Sequence, residues 1–196
     1  VLHPRAAEIA MEEGISVQIR SLQHSTGGTV IGHGIKARTA LGGEQVSDRV
    51  VTGIAHLDKR AQVKIRGVDD FHVSGLGAKV FRVLAEAQVS VDLINLAVDS
   101  IMFVIDEAKI GTARQVLAPL GLVVEITPGF AKVSVVGAGM HGVPGVMARV
   151  VNCLSAEDIP IFQTSDSHAN ISCLVLEEHT ARAVQALYRE FHLDSI

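Results

Sequence analysis

The chain contains no Trp, one Tyr and six Phe, so aromatics fill only 4% of its 196 positions. Few platforms remain on which nucleobases could stack. Charged residues make up 19% and the formal net charge is -4. Binding a polyanion needs clustered Lys and Arg, so this balance argues against a nucleic-acid surface. No run approaches the roughly 18 uninterrupted apolar residues that cross a membrane as a helix. The longest apolar stretches are strand-sized and end in Gly, Asp or Glu. There are only two cysteines, Cys153 and Cys173, both inside apolar runs and without metal-ligand spacing. They read as buried small hydrophobes in a reducing compartment. No basic region followed by an apolar core opens the chain, so a cytoplasmic address is expected. The first residue is Val1 rather than Met, as if the chain were processed or cut from something longer.

What is present is a globular composition. At 48% hydrophobic the chain is too apolar for disorder, and its length suits one large or two small domains. Pro4 to Glu13 reads as a helix ended by Gly14, and Ile15 to Arg20 as a short strand. Residues 23–49 are polar and Gly-rich (Gly27, Gly28, Gly32, Gly34, Gly42 and Gly43), which reads as linker or surface loop. Strands are expected over 50–57 and 61–67, a helix over 77–87, and strands over 89–97 and 101–106. A helix over 108–120 and a strand over 122–127 follow, and Pro128-Gly129 marks a break.

The pattern then restarts. At an offset of about 70 residues, Ala61, Val63, Ile65 and Gly67 fall on Ala131, Val133, Val135 and Gly137. Gly75, Ala78, Lys79 and Val80 fall on Gly145, Ala148, Arg149 and Val150, and Leu84 falls on Leu154. Ile101, Glu107, Ala113 and Leu117 fall on Ile171, Glu177, Ala183 and Leu187. Each copy reads β-α-β-β-α-β, the ferredoxin-like α+β arrangement with antiparallel strands and helices on one face. The bare face of each sheet must pair with something, another such unit being the obvious candidate, so a dimer is expected.

In each copy the first strand runs into a Gly-containing loop and then a helix: 67–77 in copy one, and 137–146 with Gly137, Gly139, Gly142 and Gly145 in copy two. Such a turn can hold a small carboxylate on backbone N–H groups at the positive end of a helix, or be simply a tight turn with a good helix start. Asp92 interrupts the apolar second strand of copy one, where Phe162 stands in copy two. An acid there can hold a ligand amine, or face water or a Lys. Gln163 to His168 forms a polar stretch in copy two, either a turn or a second polar pocket. The nine histidines form no HxH pair, no i,i+4 pair and no Cys/His cluster, so no metal site is expected. No nucleophile elbow, phosphate-cradling loop or acid/base pair is visible, and no cofactor is called for.

Val1-Leu2-His3-Pro4-Arg5-Ala6, Ile19-Arg20-Ser21 and Gly28-Thr29-Val30-Ile31 resemble the end of an aspartokinase catalytic domain. Val51-Thr52-Gly53-Ile54-Ala55 resembles the strand that opens that family's regulatory region. Lys132 to Met140 followed by Pro144-Gly145-Val146, and Ala183 to Leu193, resemble its second ACT domain. The resemblance covers essentially the whole chain. It implies residues 1–49 as a remnant of the kinase domain and linker, 61–128 as a first ACT unit, and 50–60 with 129–196 as a discontinuous second unit.

The family phosphorylates the side-chain carboxylate of aspartate with ATP. Its catalytic signatures, a Lys-Phe-Gly-Gly-Thr run and the nucleotide-binding segments, do not occur here. The resemblance therefore implies a regulatory part, either a β subunit or a cut fragment, that is inactive alone and works with a catalytic domain or α subunit, as a homodimer through its ACT units. Its effector would be an end product of the aspartate pathway: lysine, threonine or meso-diaminopimelate. The implied seat is Ser74, Gly75, Leu76 and Gly77 for the carboxylate, with Ser90, Val91, Asp92 and Asn95 on the facing strand. A second pocket would use Met140, Pro144, Gly145, Val146, Ser165 and Asp166. The loop around Ser74–Gly77 and the stretch Ser165-Asp166-Ser167-His168 depart from most members toward the diaminopimelate-sensitive type. The competing expectation is a structural dimerisation module without a ligand.

Overall fold

The computed structural model of the chain describes residues 6, 9–10, 13–20, 29–31, 37–38, 44–45, 50–66, 75–137, 140, 143–167 and 169–193. Two compact units emerge, Val1–Asp48 and Arg49–Ile196. In the first, Ala6, Ile9 and Ala10 are helical. The Ile15 amide donates to the Ala10 carbonyl at 2.8 Å across Gly14, whose φ is 65°. That left-handed turn is how Gly terminates a helix. β1 (Val17–Ile19) pairs antiparallel with β2 (Thr29–Ile31), and β3 (Ala37–Arg38) with β4 (Glu44–Gln45). The stretch expected as plain linker thus contains short ladders, and its remaining residues lie outside those described.

The second unit holds both copies of the repeat. Its elements are β5 (Gly53–Arg66), α1 (Leu76–Glu86), β6 (Asp92–Leu96), β7 (Ser100–Asp106), α2 (Ile110–Leu117) and β8 (Val123–Val136). Then follow α3 (Val146–Ala156), β9 (Gln163–Asp166), β10 (Asn170–Leu176) and α4 (Thr180–Glu190). All six strands form one antiparallel sheet in the order β6-β7-β5-β8-β10-β9. Among the described residues no helix is long and apolar enough to cross a membrane.

Two expected breaks are not breaks. The stretches 50–57 and 61–67, read as separate strands, form the single 14-residue β5. The strand expected to end before Pro128-Gly129 runs through it as the 14-residue β8. The reason is a pair of facing irregularities. Register slips between Leu57 and Arg60 and again before Gln62, where Lys59 (φ 56°) and Gly129 (φ 87°) take left-handed conformations. A bulge absorbs extra residues without ending the ladder. The Gly129 N–H, turned out of the ladder, donates to Glu107 Oε1 at 2.7 Å.

The helices cover one face. Val80 and Leu84 of α1, with Ala113 and Leu117 of α2, pack on Ala61, Val63, Phe103 and Ile105. Val150 and Leu154 of α3, with Ala183 and Leu187 of α4, pack on Val133, Val135, Cys173 and Val175. Each such fully buried Val, Leu, Ile or Phe contributes about 1.5–3 kcal/mol of hydrophobic stabilisation. The strand period of two then puts Gln62, Val104, Phe130, Lys132 and Leu174 on the opposite, helix-free face. There Leu93, Val104, Phe130 and Leu174 form a third buried cluster that joins both copies. The unit that covers the bare face of each copy is thus the other copy of the same chain.

The sheet must curl to do this. Lys132 on β8 and Asp92 on β6 stand three strand spacings apart in the sheet order, about 14 Å if flat. They form an ion pair. Gln62 on β5 and Gln163 on β9 are equally separated, yet Gln62 Nε2 donates to Gln163 Oε1 at 2.9 Å. Gln163 Nε2 in turn donates to the Leu93 carbonyl of the opposite edge strand. Phe130 and Phe162 meet edge-to-face at 4.9 Å.

Candidate functional site

Both α1 and α3 start at a glycine in the left-handed region, Gly75 at φ 63° and Gly145 at φ 94°. A Cβ would strain either position. Each N-cap, being a glycine, has no side chain to cap its helix, and neither first turn carries an acid. The positive end of each helix dipole meets no acid of its own first turn, a setting that suits a carboxylate. Ser74 lies outside the described residues, as do Gly139, His141, Gly142 and His168.

In copy two the expected polar residues come together. A cavity of about 200 Å³ is lined by Met147 in the first turn of α3, Thr164, Ser165 and Asp166 of β9, and Ile171 of β10. Asp166 pairs in register with Ile171. Gly145 and Pro144 are exposed just before the helix. Met140 and Val146, also expected at the pocket, sit in the apolar core instead, each 6% exposed.

Copy one differs at four of the five equivalent positions, Ile101 alone matching Ile171. Gly77 replaces Met147, and Leu96 replaces Asp166 opposite Ile101. A Cβ on Gly77 would stand 3.8 Å from Ile101 Cδ1 and 4.0 Å from Leu96 Cδ2, so this corner is apolar. Ser90 is exposed, Val91 half-buried, and Asn95 exposed opposite Met102. Asp92 sits beside a bulge that separates it from Asn95 in register. One carboxylate oxygen accepts the Leu93 N–H at 2.8 Å, and the other meets Lys132 of copy two. Leu93 itself has φ 49°, a left-handed conformation uncommon for a branched residue.

Other polar groups are engaged elsewhere. A groove of about 460 Å³ beside α4 is lined by His56, Asp58, Glu177, Glu178 and Gln185, among others. There Asp58 meets His56 at 3.5 Å and Glu177 meets Lys59 at 2.8 Å. The Asp106 carboxylate is held below its ordinary range, first by the Ala108 N–H it accepts and then by Arg60. Burial pushes the Cys173 thiol up to about 11. Among the described residues no group of three or more His, Cys, Asp or Glu is placed to hold a metal ion.

Sequence reasoning missed Lys132 and Gln62, and read Gln163 only as the start of a polar stretch. The signal was there: Gln62 and Lys132 each interrupt an apolar strand, and they occupy the same place in the two copies. Met147 and Ile171 were also missed, although Met147 follows Val146 and Ile171 pairs with Asp166.

Residues 63–119 and 125–189 each match the ACT domain. Across 194 residues the chain is 37% identical to aspartokinase 1 of Bacillus subtilis, covering 98% of this chain and 46% of that protein. The chain belongs to the aspartokinase family. It spans about half the length of the curated aspartokinases it matches. In the crystal structure of aspartokinase alpha and beta subunits, one chain superimposes with a TM-score of 0.68 at 28% identity, covering 73% of this chain and 99% of that one. Clostridium acetobutylicum aspartate kinase superimposes with a TM-score of 0.75 at 25% identity, covering 97% of this chain and 45% of that one. This aspartokinase chain is the family's regulatory region, built from tandem ACT domains.

Proposed function

We propose that this region senses an amino-acid end product of the aspartate pathway and controls the ATP-dependent phosphorylation of aspartate by a catalytic domain or α subunit. The carrying observation is the cavity in copy two, where Ser165 and Asp166 face the first turn of a helix that starts at Gly145 and carries no acid there. A carboxylate on the helix start and an ammonium on Asp166 satisfy both ends of an α-amino acid. In copy one the proposed amine site is Asp92, flanked by Ser90, Val91 and Asn95, and the proposed carboxylate site is the helix start at Ser74, Gly75, Leu76 and Gly77. Binding shifts the attached kinase only through different affinities for two arrangements of the ACT units.

In this reading the first ACT unit is 61–128 and the second joins 50–60 to 129–196. The protein works in the cytoplasm as a homodimer, and meso-diaminopimelate is the effector that its loop sequences favour over lysine and threonine. The Clostridium relative, described as an allosteric enzyme, supports regulation as the role. The 99% coverage of one chain in the alpha and beta subunit structure supports a separate catalytic partner.

Calorimetry of the chain with lysine, threonine and meso-diaminopimelate tests the reading. One of the three is expected to bind, and Asp166→Ala to weaken it at least about tenfold, the loss of one charge-assisted hydrogen bond. No binding by any of them, or binding indifferent to both Asp166→Ala and Asp92→Ala, overturns it. A second reading, a dimerisation module without a ligand, is favoured by the Lys132 ammonium already on Asp92. It expects a melting temperature unmoved by all three amino acids.

A further inference from the structure

We infer that Lys132 is a tethered competitor for the effector's amine, so that ligand binding at Asp92 in copy one must release a contact made by copy two. This rests on the proposed seat at Asp92 and adds the regulation of that seat.

The chemistry is on display. Asp92 recognises an alkylammonium, because it holds one. Its carboxylate is oriented by the Leu93 N–H, so it is fixed before any ligand arrives. The two partners are unequally accessible. The Asp92 side chain is 50% exposed, whereas that of Lys132 is 17% exposed. An incoming amine can therefore reach the carboxylate from solvent while Lys132 approaches from inside the seam. A half-exposed ion pair is weakly held, so exchange is feasible.

The consequence follows from where Lys132 stands. It lies on the half of β8 that pairs with β10 in copy two, within two residues of Phe130. Leaving Asp92 removes one of the contacts that close the curled sheet. Another acts on the same edge, Gln163 on the Leu93 carbonyl, and Phe130 on Phe162 braces the facing edge. Leu93, at φ 49°, is held in its uncommon conformation among them. Effector binding at one copy is thereby read by the other. Copy two has no such device at the equivalent place, since Phe162 and Gln62 replace the acid and the lysine.

Two measurements on the whole chain test this. The first needs no ligand. Limiting N-acetoxysuccinimide labels lysines, and peptide mass spectrometry reads each site. Lys132 is expected to label at least about fivefold slower than the exposed Lys59, and Asp92→Asn to raise its rate at least about threefold. A Lys132 rate indifferent to Asp92→Asn overturns the inference. The second is calorimetry of Lys132→Met, which keeps the buried stem, with lysine, threonine and meso-diaminopimelate. If the pair is closed nine-tenths of the time, freeing the seat tightens binding about tenfold. The same amino acid should accelerate Lys132 labelling in the parent chain. Equal affinity for parent and Lys132→Met overturns the competition alone. No binding to either chain overturns both the competition and the proposed function.

Discussion

Replacing Gly137 with Ala should destabilise the chain by about 2–4 kcal/mol, and the size can be built from the geometry. Gly137 directly follows β8, where the candidate loop of copy two begins. A Cβ there would lie 2.0 Å from the Val50 carbonyl oxygen and 2.8 Å from Val51 Cα. Ordinary contact starts near 3.4 Å, so the backbone at Val50 and Val51 must retreat by about 1.4 Å. No side-chain rotation relieves a clash with backbone. Overpacking of this kind costs about 1–3 kcal/mol. The retreat also strains the bond from the Thr52 N–H to the Val136 carbonyl, 2.7 Å, whose loss adds about 1 kcal/mol. It pulls Val51, 3% exposed, out of the core of copy two. The matched control is Gly111→Ala in α2, where nothing lies within 4 Å. There the same methyl should stabilise, by up to about 1 kcal/mol, because Gly is a poor helix former. Urea unfolding followed by far-UV circular dichroism measures both. At about 2–4 °C per kcal/mol, the Gly137 variant should melt about 5–15 °C lower. A Gly137→Ala chain within about 0.5 kcal/mol of the parent would refute the reasoning.

Gln163→Ala should cost about 2–4 kcal/mol by leaving the Gln62 amide and the Leu93 carbonyl buried and unpaired. Converting Gln62 and Gln163 together to Leu should recover part of that in a thermal melt; a double variant no better than the single one would count against the pairing. Cys173 should resist alkylation at pH 8 until the chain unfolds, because with its thiol pushed up to about 11 only about one molecule in a thousand is thiolate. The same shift stabilises the fold below pH 9.0, the ordinary thiol value, and is lost as pH rises from there toward about 11, where the unfolded chain ionises first. Equal alkylation rates for Cys173 in native and urea-unfolded chains would contradict it.

Much of the fold was legible because its determinants are local. The apolar alternation of Val133, Val135, Cys173 and Val175, and the helical spacing of Val80 and Leu84, state which faces turn inward. The repeat shows itself because equivalent residues meet equivalent neighbours, down to the left-handed Gly75 and Gly145 at the two helix starts. Pro128-Gly129 misled because those residues mean a break in most contexts. Here a facing bulge at Lys59 accommodates them, and whether a bulge forms depends on the partner strand.

The candidate site was half legible. Ser165 and Asp166 announce themselves as polar residues ending a strand, and they do line the cavity. Asp92 announces itself equally, but its carboxylate meets Lys132, 40 residues away. By itself the sequence determined two ferredoxin-like copies, the helix starts and the apolar faces, since each depends on residues a few positions apart. The tertiary structure alone decided that the two copies share one curled sheet and close on each other through Lys132, Gln62 and Gln163. Curl accumulates from the twist of every strand, and only its sum brings the two edges of the sheet within reach.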